Sequence, residues 1–138
     1  MQKTDLYRRH QLVCHTDDRG SLTVLDKIDQ LVSWPVKRSY WITDSNKQRG
    51  AHCVKGERKF YVMAKGTCTM KIFDGKEWYE ERLNGPTDVI EFRADLWREV
   101  CDLTPDAVLF TLCNDYYSKE SYITDLEEFK KYIDEGGL

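Results

Sequence analysis

Apolar and polar residues alternate along most of this chain with a period of two, the spacing that turns one face of a β-strand toward a core and the other toward water. Residues 36–43, VKRSYWIT, show the alternation clearly, and strand-length runs recur at 60–64, 67–73, 78–83, 88–92, 97–103 and 107–113. The breaks between them carry turn chemistry: Asp74-Gly75-Lys76, Asn84-Gly85-Pro86 and Thr104-Pro105-Asp106. Nearer the N-terminus, 11–15 and 21–25 flank Thr16-Asp17-Asp18-Arg19-Gly20 and read as a hairpin, while 31–34 reads as a short strand leading to Pro35. The stretch 49–66, RGAHCVKGERKFYVMAKG, reads as a second hairpin, with a polar turn over Gly56, Glu57, Arg58 and Lys59. On that reading His52 and Val54 share a face and Cys53 points the other way.

The rhythm changes only at the C-terminus. Thr124-Asp125-Leu126-Glu127 has the form of a capping box, and Leu126, Phe129, Tyr132 and Ile133 then fall on one face at helical spacing. This predicts one amphipathic helix of about three turns lying on the sheet. Regularly spaced strands with one late helix predict an all-β antiparallel sandwich or barrel.

Length and composition narrow this picture. A chain of 138 residues has the size of one domain and can bury roughly two-thirds of its unfolded surface. With no repeat or linker in view, 1–138 reads as a single domain. The net charge of −3 argues against a general nucleic-acid surface, which needs a concentrated positive footprint. No run of 18 apolar residues exists and the N-terminus lacks an apolar leader core, so neither a membrane span nor secretion is expected. Five widely spaced cysteines without a CxxC pair suggest reduced thiols and a cytoplasmic location.

Candidate chemistry gathers around His52. Arg49 and Lys55 flank it in sequence, and nearby cations keep an imidazole neutral, the form a general base needs. Arg19, Arg49 and Arg98 form a clamp for a pyrophosphate if strand pairing brings them to one barrel mouth. A barrel metal site of two histidines two residues apart, a glutamate further on and a histidine on a later strand is not matched. Val54 and Arg98 occupy the histidine positions and leave His52 with at most Glu57, too few ligands, so a metal-free barrel is expected.

Several stretches carry a family resemblance: Asp18-Arg-Gly-Ser-Leu22, Lys37-Arg-Ser-Tyr-Trp-Ile-Thr43, Arg49-Gly-Ala-His52 with Lys55, Leu96-Trp-Arg-Glu-Val100, Asn114-Asp-Tyr-Tyr-Ser118 and Tyr122-Ile123. Together they span nearly the whole chain, which resembles the cupin-fold sugar 3,4-ketoisomerases acting on dTDP-4-keto-6-deoxyglucose in dTDP-3-amino-sugar and surface-glycan biosynthesis. The resemblance implies a jelly-roll barrel, a homodimer, no cofactor, and movement of a keto group from C4 to C3 through an enediolate. It implies His52 as base, Tyr40, Lys59 or Arg98 as donors to the enediolate oxygens, Arg19 and Arg49 on the pyrophosphate, and Trp41 toward the nucleotide. The chain departs from the family pattern RGxHxHK at Val54, from its usual glutamine at Lys59, and from its tryptophan-histidine pair at Arg98. A non-catalytic or repurposed nucleotide-sugar-binding cupin is the alternative these departures leave.

Overall fold

The structure, a computed structural model, describes residues 2–45 and 47–137. The chain runs α1 (Lys3–Leu6), β1 (Tyr7–Gln11), β2 (Val13–Asp17), β3 (Gly20–Val24), α2 (Ile28–Leu31), β4 (Arg38–Thr43), β5 (Arg49–Val54), β6 (Lys59–Lys65), β7 (Thr67–Phe73), β8 (Trp78–Asn84), β9 (Asp88–Phe92), β10 (Trp97–Cys101), β11 (Val108–Cys113), β12 (Tyr122–Ile123) and α3 (Leu126–Asp134). Two five-stranded antiparallel sheets, ordered β1-β9-β6-β11-β4 and β12-β5-β10-β7-β8, face each other as an antiparallel jelly-roll barrel. The expected all-β architecture with one C-terminal helix is what forms.

The sheets meet over Met63, Met70, Ile72, Leu83, Ile90 and Leu109, all fully buried. The alternate residues of β6 and β9, Phe60, Val62 and Val89, face outward and are covered by Val32, Trp34 and Leu12. Both faces of β6 are therefore dry, which is why that strand reads as a continuous apolar run. On the far side α3 seats Phe129 against Cys53, Phe73 and Trp97, capping the outer face of the second sheet. Burying those apolar side chains stabilises the fold by about 1.5–3 kcal/mol each.

Several local expectations are corrected. Residues 49–66 are not a hairpin: β5 and β6 belong to opposite sheets, and the turn at Gly56 carries the chain between them. Lys59 is not in that turn but opens β6, 1% exposed. The expected strand at 31–34 is absent; α2 ends at Leu31, and Val32 and Trp34 pack on the first sheet instead. Helical turns at α1 and α2, and the strand β1, have no strong periodic signal and were not expected. The N-terminal hairpin does form, between Val13–Asp17 and Gly20–Val24, as a separate two-stranded sheet. The cap of α3 is Asp125 rather than Thr124; its side chain accepts from the Glu128 amide at 3.0 Å. The strand expected to reach Leu103 ends at Cys101, where Asp102 turns to a φ of 55°.

Candidate active site

A cavity of about 420 Å³ opens at one end of the barrel, walled by Tyr40, Arg49, His52, Tyr61, Val100 and Tyr122 among others. Depressions of about 450 and 580 Å³ elsewhere on the surface contain no histidine. At the barrel mouth, by contrast, titratable side chains from both sheets converge.

Strand β5 delivers His52. Its pairing with β10 matches Arg98 to His52 and Val100 to Arg49, so β5 carries one extra residue there, a bulge. Gly50, at φ 74°, supplies the left-handed conformation within it. The alternation then places His52 toward the cavity and buries Cys53 beneath α3. The imidazole packs against the Tyr122 ring, centroids 4.9 Å apart. Its proton affinity is pushed down to about 3, first by burial and then by the charges of Arg98 and Lys59. Burial and these two charges both favour the neutral imidazole, and the cations acting on it are Arg98 and Lys59 rather than Arg49 and Lys55.

Beneath the cavity lies a buried ionic cluster. Glu57, 3% exposed, accepts three cations: Lys59 Nζ at 3.0 Å, Arg98 Nη1 at 3.3 Å and Arg38 Nη2 at 3.2 Å. Three positive charges around one carboxylate leave a surplus of two. Two tyrosines carry that field toward the cavity. Lys59 donates to Tyr40 Oη at 2.5 Å, and Arg98 donates to Tyr61 Oη at 3.3 Å. Burial raises both phenols, Tyr61 to about 12, with the neighbouring cations opposing the rise. Arg98 also donates to the Leu96 carbonyl at 3.1 Å, and its Nε, like that of Arg38, has no hydrogen-bond partner among the described residues.

Of the residues singled out in the sequence, His52, Tyr40 and Arg49 line the cavity, and Lys59 and Arg98 lie under it. Arg19 does not join them: it sits on the β2–β3 hairpin, paired with Asp17, its side chain 86% exposed. The single clamp of three arginines is thus not assembled within the chain, because the hairpin pairs with neither large sheet. Trp41 reaches the wall, yet its ring stacks on Phe110 of the outer face and stays 61% exposed. Val54 is buried and is not part of the cavity wall. Sequence reasoning missed Arg38, two residues before Tyr40 and so on its side of β4; Tyr61, inside an apolar run; and Glu57 as the shared countercharge. Among the described residues no group of three or more His, Cys, Asp or Glu side chains is placed to hold a metal ion.

Fold and site belong to one class, the cupin-type sugar-nucleotide isomerase barrels. A family model described as "FdtA: WxcM-like, C-terminal" matches residues 5–134, and the chain belongs to this family. Over 119 residues, 85% of each chain, it is 32% identical to the TDP-4-oxo-6-deoxy-α-D-glucose-3,4-oxoisomerase of Aneurinibacillus thermoaerophilus. Among solved structures it is similar to the WlaRB TDP-quinovose 3,4-ketoisomerase of Campylobacter jejuni, with a TM-score of 0.81 and 31% identity over 91% of this chain and 97% of that one. It is also similar to the sugar 3,4-ketoisomerase QdtA of Thermoanaerobacterium thermosaccharolyticum in complex with TDP, with a TM-score of 0.83 and 26% identity over 96% and 97%.

Proposed function

We propose that the protein is an isomerase that moves the keto group of a dTDP-linked 4-keto-6-deoxyhexose from C4 to C3. The observation that carries this reading is a half-buried imidazole at a cavity wall, driven to its neutral form first by burial and then by the charges of Arg98 and Lys59 beneath it. The C4 ketone acidifies the C3 proton; His52 removes it, the electron pair spreads onto the C4 oxygen, and an enediolate forms. Its negative charge meets the Tyr40 hydroxyl and the field of Lys59 and Arg98, donors already fixed before the reaction. A strongly depressed imidazole is a weak base in the empty site. The developing enediolate offsets the cations and raises its basicity as the proton arrives. Return of the proton to C4, and transfer of the hydroxyl proton from O3 to O4, leaves the ketone at C3. One carbon is oxidised as its neighbour is reduced, so no cofactor is needed.

Arg49, exposed at the mouth, with Arg38 beside it, is the site's grip on the pyrophosphate. The homodimer rests on the β2–β3 hairpin, where Val13 and Leu22 are 60% and 65% exposed. No described helix is long and apolar enough to cross a membrane; the five cysteines, all free, are what support a cytoplasmic location. The test is incubation with dTDP-4-keto-6-deoxyglucose in deuterated water, followed by proton NMR. Ring deuterium with a 3-keto product is expected; tight binding with no exchange favours the non-catalytic alternative.

A further inference from the structure

Asp95 lies in the loop between β9 and β10, 3% exposed, and is not part of the cavity wall. Its carboxylate nevertheless takes three donors from separate parts of the fold. Tyr132 Oη of α3 donates to Oδ2 at 2.6 Å, the Gly56 amide to Oδ2 at 3.1 Å, and Arg58 Nη1 to Oδ1 at 2.8 Å. Gly56 and Arg58 are the two neighbours of Glu57. Asn114 grips the same pair from the other side, accepting from the Arg58 amide at 2.8 Å and donating to the Gly56 carbonyl at 3.2 Å. The turn that presents the countercharge of the site is therefore bonded on both flanks.

The same helix backs the strands that hold the site. Cys53 and Trp97, which follow His52 and precede Arg98, point away from the cavity and pack on Phe129 of α3. Side-chain alternation ties the two faces: what fixes Cys53 and Trp97 from outside fixes His52 and Arg98 inside. We infer that α3 is a strut for the active site and that Asp95 and Tyr132 are positioning residues, acting through the Gly56–Arg58 turn on Glu57 and, through Glu57, on Lys59 and the Tyr40 hydroxyl. Neither touches the reacting atoms. Their effect is to hold Glu57 where it bridges three cations, a placement that a polar turn free of such bonds does not keep by itself. Buried charges with short contacts tolerate little displacement, because their attraction falls with distance in a weakly screening interior.

Tyr132→Phe tests the strut directly, since it keeps the ring that α3 packs against the cluster of Cys53, Trp97 and Phe129 and removes only the hydroxyl; Asp95→Asn keeps the shape and removes the charge. The kinetic arm rests on the isomerase reading. Tyr132→Phe is expected to lower kcat roughly 10- to 100-fold, the scale of a small misplacement of catalytic groups. KM and dTDP affinity stay unchanged, and the double variant loses no more than the worse single one, because both act along one path. Wild-type kcat in Tyr132→Phe overturns the inference. So does a loss matched by an equal fall in dTDP-binding stoichiometry, which reports only a smaller folded fraction. If Asp95→Asn does not fold, Tyr132→Phe decides alone. If the wild-type protein itself turns over no keto-sugar, the isomerase reading fails, and the strut is judged by NMR without substrate. The His52 ring resonance, assigned by its loss in His52→Asn, then shifts in Tyr132→Phe and not in Glu127→Gln on the exposed side of α3. An unmoved resonance in Tyr132→Phe overturns it.

Discussion

Replacing Glu57 by glutamine keeps the size of the side chain and removes the carboxylate that Lys59, Arg98 and Arg38 share. With Glu57 3% and Lys59 and Arg98 each 1% exposed, water cannot take its place at either of those cations. Removing one partner of such a buried pair costs about 3–5 kcal/mol. Against a total stability of about 5–15 kcal/mol the variant is severely weakened. Guanidinium denaturation at pH 7 measures the difference. Adding Lys59→Gln to Glu57→Gln recovers much of the loss, a coupling a double-mutant cycle reads directly. If Glu57→Gln lies within about 1 kcal/mol of wild type, near the range of ordinary surface substitutions, the cluster is solvated and the electrostatic account of His52 fails with it.

Other expected outcomes are briefer. His52→Asn abolishes deuterium exchange at C3 and leaves dTDP affinity nearly intact in calorimetry, since base and nucleotide grip lie on different residues. Arg49→Ala weakens dTDP binding by roughly 1.5 kcal/mol, the lower end for a charge-assisted hydrogen bond at an exposed position; unchanged calorimetric affinity removes Arg49 from the clamp. The folded-state pKa of His52 near 3 lies below its ordinary 6.5, so the unfolded chain takes up a proton that the folded chain refuses. This contribution to stability is therefore present above pH 6.5, is lost as pH falls toward 3, and levels off below; kcat/KM of the free enzyme shows no inflection at 6.5. Val54→His leaves the isomerisation rate within a few-fold of wild type, because residue 54 is buried away from the cavity wall; a large gain in turnover points instead to a second proton carrier reaching the sugar.

Much of the architecture was legible in residues alone. Period-two alternation and Asp-Gly, Gly-Pro and Thr-Pro breaks mark strands because both are local: side-chain direction alternates with the backbone, and turn residues answer to φ. The same locality set His52 and Cys53 on opposite faces of β5, and Leu126, Phe129, Tyr132 and Ile133 on one face of α3. What local pattern could not convey was pairing. β5 and β6 look like a hairpin because the turn between them is short and polar, yet each finds its partners elsewhere, β10 and β11, across long stretches of chain. That pairing brings Arg98 beside His52, buries Lys59, and draws Glu57 among three cations, whereas Arg19 is carried off on its own hairpin. A charged side chain in a sequence is by default a solvated one. Only the closing of two sheets over Glu57 strips Lys59 and Arg98 of water, and only there is His52 itself buried with their charges beside it; that burial first, and those charges second, are what favour its neutral form, properties of the assembled barrel and of no single segment.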